Sequence, residues 1–122
     1  MAIDRAGQTT EELVEEFVRI GLGQFDALNG FDVRRANRLY DRKTAVLAEL
    51  KARPGDGRHA LVPLLRHENL QVRLNAVGAT LTIAPAAGRE ALERIKATGW
   101  MPQAADAAGW LRALDDGTFG LT

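Results

Sequence analysis

The sequence predicts an all-α fold in which a helical hairpin precedes two shorter helix pairs, and three observations predict it. Apolar residues recur at three- and four-residue spacing through most of the chain. No window alternates apolar and polar residues as a half-buried strand does. Turn signals built from Gly, Pro and Asn are separated by about 12 to 25 residues, a spacing that suits helices. With 122 residues, 46% of them apolar, the chain is long enough to bury a core as one domain over residues 1–122.

The first element of this fold is an antiparallel helical hairpin predicted over residues 9–53. Thr9 and Glu12 have the spacing of a capping box, in which each side chain accepts a hydrogen bond from the backbone of the other, so the first helix starts here. An Asn-Gly pair ending at Gly30 supplies residues that accept a positive φ. Asp32 is suited to cap the second helix.

Each helix of the hairpin carries one apolar face. The first face comprises Leu13, Val14, Phe17, Val18, Ile20, Leu22, Phe25 and Leu28. The second helix, from Val33 to about Ala52, has its face along Val33, Ala36, Tyr40, Leu47 and Leu50, with Leu39 and Val46 beside it. Helical spacing therefore predicts that the two faces pack together and that Tyr40 points to the core.

The remaining chain is predicted to form two helix pairs, residues 58–84 and 85–114, followed by a tail at 115–122. Shifting the sequence against itself by 31 residues pairs Leu61 with Leu92, Leu64 with Ile95, Ala76 with Ala107, and Gly78 with Gly109. The four helices expected are Ala60–Arg66, Leu70 to about Ile83, Ala86–Ala97 and Pro102–Leu114. Asn69 is expected to cap the second of them, and Leu70, Leu74, Val77 and Leu81 to form its core stripe.

Two resemblances follow from particular residues. Asn69 to Ala76, preceded by Leu64-Leu65-Arg66-His67, resembles the turn and second helix of a HEAT-like repeat. Four segments, Asn37 to Asp41, Val72-Arg73, Pro102 to Ala107 and Leu114 to Phe119, together resemble the small bacterial family called domain of unknown function 2019. The resemblance implies a HEAT-like right-handed α-α superhelix, no established enzymatic activity, and a role beside toxin systems in some members.

Basic residues are concentrated on the second helix. Arg34, Arg38 and Arg42 are four residues apart and form one ridge, with Arg35 beside it. Residues 32–58 hold eight basic and four acidic residues, a net charge of +4, whereas residues 1–31 hold two basic and six acidic residues, a net charge of −4. The ridge either pairs with the acidic first helix or binds an acidic protein, a phosphate ligand or nucleic acid.

Further candidates for partner binding are polar residues at the start of the second helix of each pair. They are Gln71, Arg73, Asn75, Gln103 and Asp106. Arg73 is expected to form an ion pair with Asp106 if the two helix pairs stack. Trp100, Trp110 and Phe119 are expected to close the end of the helical stack, and the alternative is that they anchor a partner.

Several function classes lack the residues they need. The chain has no cysteine and no serine, so it holds no disulfide, cysteine-ligated metal or serine nucleophile. His59 and His67 are not at the spacing of a helical metal pair, and no glycine-rich phosphate-binding motif occurs. The formal net charge of zero argues against a surface tuned as a whole to polyanions. We therefore expect no cofactor, no metal and no enzymatic activity.

The function predicted from the sequence is that of a non-enzymatic helical scaffold that binds another protein. Stacked helix pairs offer an extended surface for such a partner. Following the family resemblance, one form of this function is neutralisation of a toxin, as immunity proteins do. The alternative is binding of nucleic acid or a phosphate ligand through the basic ridge. No signal peptide or membrane-spanning stretch is evident, so a cytoplasmic protein that is a monomer or weak homodimer is expected.

Overall fold

The computed structural model describes residues 4–118, and this part of the chain is all-helical, as the sequence predicts. It contains two 3₁₀ helices, Arg5–Gly7 and Gly57–Arg66, and no strand within that range. The five α-helices are α1 (Thr10–Asn29), α2 (Val33–Ala52), α3 (Leu70–Thr80), α4 (Pro85–Thr98) and α5 (Gln103–Asp116). The chain divides into two compact units, Met1–Leu61 and Val62–Thr122.

In the first unit, α1 and α2 pack together as the predicted hairpin, and their caps are those that the sequence indicated. Thr9 Oγ1 accepts a hydrogen bond from the backbone of Glu12 at 3.0 Å, and Glu12 Oε1 accepts one from the backbone of Thr9 at 2.9 Å. The bond from the Thr9 backbone, together with the Thr9 hydroxyl, lowers the pKa of the Glu12 carboxyl. Asp32 Oδ1 accepts from the backbone of Arg35 at 3.1 Å and so starts α2.

The buried face of α2 differs from the predicted one. Val46 and Leu50 are fully buried and Leu39 is half-buried, so the helix turns this side towards α1. Val33 and Tyr40, which were expected in the core, are exposed. The close approach of the helices explains the rotation, because a Cβ at Gly23 would lie 3.0 Å from Leu39 Cδ1. Leu39, rather than Tyr40, therefore fills the space that this glycine leaves.

The connection between α1 and α2 also departs from prediction. Gly30 has an ordinary φ of −91°, and the positive φ of 56° belongs to Phe31. Phe31 N–H donates to the Leu28 carbonyl at 3.2 Å, and Asp32 N–H donates to the Ala27 carbonyl at 2.8 Å. This pair of bonds is the Schellman motif, and it places Phe31 at the left-handed position that glycine usually occupies.

Residues before α1 are tied to the hairpin by two arginines. Arg5 Nη2 donates to the buried Glu16 Oε2 at 3.0 Å. Arg53, just after α2, donates from Nη2 to the carbonyls of Arg5 at 3.1 Å and Gln8 at 2.6 Å. Hydrogen bonds donated by a charged group to backbone carbonyls are among the stronger ones in proteins. They fix the N-terminal 3₁₀ helix against both helices of the first unit.

The second unit is built around α3, which contacts both α4 and α5. Eight of its eleven residues are buried, as expected for a helix with neighbours on several sides. Leu74, Val77 and Leu81 are buried as predicted, while Leu70 is half-buried. Leu92, Ile95, Ala107 and Leu111 complete the core from α4 and α5.

In this unit α3 begins at the predicted cap, whereas α4 begins at a proline without a side-chain cap. Asn69 Oδ1 accepts from the backbones of Gln71 at 2.9 Å and Val72 at 3.1 Å, and Pro85 opens α4. The helix expected at 60–66 is instead a 3₁₀ helix, Gly57–Arg66, with Pro63 inside it. Proline removes a backbone donor and so disfavours an α-helix there. α3 ends at Thr80, whose hydroxyl bonds the Ala76 carbonyl, rather than at Ile83.

Candidate functional site

The exposed side of α2, with the residue that leads into it, is the candidate site in the first unit. We call it the α2 outer surface and define it as Phe31, Val33, Arg34, Arg38 and Tyr40. Phe31 is 89% exposed, Val33 65% and Tyr40 57%. Val33 and Tyr40 are seven residues apart, two helical turns, and therefore share one face. Arg34 and Arg38 form the adjoining stripe, one turn apart.

Phe31 combines exposure with an unfavourable backbone conformation. A side chain at a left-handed φ costs about 1 to 2 kcal/mol relative to the right-handed region. Burial of the ring does not compensate for this, because the side chain is almost wholly in solvent. Strained residues of this kind are found where function, rather than folding, selects the side chain.

The predicted basic ridge separates into a paired half and an unpaired half. Arg35 Nη1 lies 2.6 Å from Asp26 Oδ2, and Arg42 Nη2 lies 3.8 Å from the buried Glu16 Oε2. Pairing across the hairpin thus accounts for these two arginines. Arg34 and Arg38 form no ion pair anywhere within residues 4–118, and both are exposed. They are the cations of the ridge that remain available to a partner.

Tyr40 lies at the border between the exposed and buried sides of α2. Lys43 Nζ lies 4.7 Å from the centre of the Tyr40 ring, within range of a cation–π interaction. Lys43 itself is half-buried, and this burial lowers the pKa of its ammonium group.

Three of the polar candidates in the second unit lie in the interior. Gln103 Nε2 donates to Gln71 Oε1 at 2.9 Å, and Gln71 Nε2 donates to Asn75 Oδ1 at 2.9 Å. All three side chains are buried. Gln103 Oε1 is buried without a hydrogen-bond partner. These residues link α5 to α3. The sequence did not reveal this role because it does not show whether an amide side chain faces the interior or the solvent.

The expected ion pair between Arg73 and Asp106 is absent: no nitrogen of Arg73 lies within 4.0 Å of an Asp106 oxygen. Asp106 is exposed, and partial desolvation of its carboxyl raises its pKa. Arg73 is half-buried, with its Nε unpartnered. The amide pair of Gln103 and Gln71 makes the contact between α5 and α3 that was expected of these charges.

The C-terminal aromatic residues differ in exposure, and Trp110 is half-buried. Trp110 packs over Gly78 of α3, where an added Cβ would lie 3.4 Å from the indole Cη2. Trp100, in the turn before α5, is 51% exposed. Phe119 lies outside the described residues.

Two observations concern metal-ligating clusters and helix length in the described part of the chain. Residues 4–118 contain no cluster of three or more His, Asp or Glu side chains that could hold a metal ion. Over the same residues, no helix has both the length and the apolar character needed to cross a bilayer.

The chain is similar to a described family and to a solved structure that it covers almost completely. The family described as "Domain of unknown function (DUF2019)" matches residues 11–115. The crystal structure of the protein RPA1889 from Rhodopseudomonas palustris CGA009 is similar over nearly the whole chain. The two share 45% sequence identity and superpose with a TM-score of 0.93, covering 99% of this chain and 100% of the other. No curated protein matches.

Proposed function

We propose that this protein, which belongs to the DUF2019 family, binds another protein through the α2 outer surface and catalyses no reaction. The single observation that carries the proposal is Phe31, an exposed aromatic ring at a backbone position that favours glycine. Aromatic residues and arginine are the side chains most often responsible for binding energy at protein interfaces. The α2 outer surface provides two of each class that are exposed: Phe31, Tyr40, Arg34 and Arg38.

The chemistry of the surface specifies the partner. An apolar pocket on the partner would receive Phe31 and Val33, since both are largely exposed. Acidic side chains beside that pocket would pair with Arg34 and Arg38, which lack ion pairs within the described residues. Charge complementarity of this kind sets orientation and speeds association. The partner is therefore an acidic protein with an apolar cleft.

Nucleic acid is the second candidate, because Tyr40 and Phe31 are exposed beside Arg34 and Arg38 and could stack on bases. The balance of charge favours a protein. Asp41 is exposed on the same side of α2, so Arg34, Arg38 and Asp41 together carry a net charge of only +1. Binding of a polyanion relies on many cations and weakens steeply with salt.

Two finer features of the proposal concern the identity of the partner and the repeat architecture. The toxin-neutralising form of the proposal, in which the partner is a toxin, rests on the family resemblance alone. The HEAT-like nature of the helix pairs is supported by the burial of Ala76 and Ala107, which are 31 positions apart. The 3₁₀ helix Gly57–Arg66 departs from that pattern.

Affinity capture with matched variants tests the proposal. The tagged protein is incubated with nuclease-treated extract of its own cells at low and moderate salt, and the recovered partner is purified and titrated back. Arg34→Glu/Arg38→Glu is expected to weaken binding at least about tenfold, a loss of about 1.4 kcal/mol. The control Lys96→Glu/Arg112→Glu makes the same charge change on exposed residues of the second unit and is expected to bind normally.

Two results would overturn the proposal. One is that, from extract not treated with nuclease, the protein recovers nucleic acid and no protein partner. This binding would be lost as salt rises and also in Arg34→Glu/Arg38→Glu. The other is a titratable protein partner whose affinity is the same for the wild type, for Arg34→Glu/Arg38→Glu and for Phe31→Gly.

A further inference from the structure

A groove in the second unit lies between the end of the 3₁₀ helix Gly57–Arg66 and one side of α4. Its volume is about 220 Å³. Its walls are mainly apolar and comprise Val62, Pro63, Leu65, Ala87 and Ala91. The small alanines on α4 leave room that larger side chains would fill. The groove is smaller than the cavities of about 300 to 1,000 Å³ that hold cofactors and drug-sized ligands. Its size suits one or two aliphatic side chains.

The rim of the groove carries an unequal set of charges. Glu90 Oε1 lies 2.6 Å from Arg94 Nη2 and 3.9 Å from Arg66 Nη2. Two guanidinium groups therefore share one carboxylate, and Glu90 is the one carboxylate among the lining residues. All three side chains are more than half exposed, so the rim keeps a net charge of +1 in contact with solvent. Each guanidinium has five N–H donors, so donors remain for a second carboxylate.

We propose that this groove binds a short acidic segment of a protein, with an aliphatic side chain in the groove and a neighbouring carboxylate bridging Arg66 and Arg94. The apolar walls favour the aliphatic group, and the excess positive charge favours the carboxylate. A groove this open holds a free small molecule weakly, whereas a peptide adds contacts along its backbone. The site is separate from the α2 outer surface, and the inference stands whether or not that surface binds a partner.

Nuclear magnetic resonance titration of the isotope-labelled full-length protein tests the inference. The probes are short synthetic peptides, blocked at both ends, that contain one Leu with Asp or Glu at varied spacing. A matched set carries Lys in place of the acidic residues. Acidic peptides are expected to shift the amide signals of residues 87–94, and the basic set is expected to leave them unchanged.

Variants then locate the site. Ala87→Trp fills the groove from an exposed position, and Arg94→Glu reverses one rim charge. Each is expected to weaken peptide binding at least about tenfold. Arg112→Glu, an equal charge change on α5 outside the groove, is expected to bind as the wild type does. Thermal melts of all three variants check that the fold is retained, and Ala91 is left unchanged because it is buried.

Three results would overturn the inference. One is that no acidic peptide shifts the signals of residues 87–94. Another is that Ala87→Trp and Arg94→Glu, both folded, bind like the wild type. The third is that 4-methylpentanoate, which offers the aliphatic group and carboxylate without a peptide backbone, binds as tightly as the best peptide, because the occupant would then be a free carboxylic acid.

Discussion

Gln103 on α5 donates a hydrogen bond of 2.9 Å to Gln71 on α3, and both side chains are buried. Gln71 in turn donates a hydrogen bond to Asn75 Oδ1, also at 2.9 Å. A chain of buried amides has value only while its members satisfy one another, because an unpaired buried amide costs about 1 to 3 kcal/mol. The pair therefore fixes how the starts of α3 and α5 meet.

Replacement of Gln103 tests this link. Gln103→Leu is expected to lower the free energy of unfolding by about 1 kcal/mol, since Gln71 Oε1 loses its donor. This loss of unfolding free energy lies at the low end of the cost of an unpaired buried amide, because the substitution also removes Gln103 Oε1, which is buried without a partner. Urea denaturation of Gln103→Leu, Gln71→Leu and the double variant measures the coupling. Strictly additive losses would contradict the link.

The two halves of the arginine ridge are expected to respond differently to charge reversal. Arg35→Glu replaces an ion pair with Asp26 by repulsion at an exposed site, so a loss of about 0.5 to 1 kcal/mol in unfolding free energy is expected. Arg34→Glu breaks no ion pair among the described residues and is expected to change that free energy by less than about 0.5 kcal/mol. Equal losses for the two variants, measured by urea denaturation, would show that Arg34 also has a structural role.

The turn after α2 provides a pH-dependent contact. Hydrogen bonds from Arg58, with Nη2 at 2.6 Å from Asp56 Oδ2, lower the pKa of Asp56 from 3.8 to about 2. Because the folded-state pKa is the lower one, this contact stabilises the fold above about pH 3.8, and the stabilisation is lost as the pH falls towards 2.

Arg58→Gln is expected to return the pKa of Asp56 towards 3.8. Carbon-detected magnetic resonance of the Asp56 carboxyl during an acid titration measures this midpoint. Arg34→Gln, which removes an arginine that has no ion pair in the described range, serves as the control and is expected to leave the midpoint near 2. A midpoint unchanged in Arg58→Gln would refute the assignment.

Two glycine substitutions are expected to have opposite effects on stability. A Cβ at Gly57 would lie 2.7 Å from the backbone oxygen of Leu50, so Gly57→Ala forces the backbone to shift and is expected to cost about 1 to 3 kcal/mol. A Cβ at Gly109, inside α5, would meet only Arg112 Nη2 at 3.8 Å. Gly109→Ala is expected to gain up to about 1 kcal/mol from helix propensity. Thermal melts of the pair check both signs.

Local signals in the sequence predicted the helices well. The sequence did not indicate which residues of different helices contact one another. Thr9, Asp32 and Asn69 were identified as caps because capping depends on residues within one turn. Tyr40 was misplaced because the face of α2 is set by the space at Gly23 on another helix. Phe31 was missed because the Asn-Gly pair suggested the positive φ one residue too early. The Gln103–Gln71 contact joins residues 32 positions apart, which no spacing rule indicates.

The most direct test of the central claim is the affinity of Phe31→Gly for the captured partner, measured beside its stability. Glycine relieves the positive φ at little loss of buried surface, so the unfolding free energy is expected to rise by about 0.5 to 1 kcal/mol. Partner affinity is expected to fall at least about tenfold, because the exposed ring is removed. A Phe31→Gly variant that binds the partner as tightly as the wild type would contradict the claim that Phe31 is retained for binding.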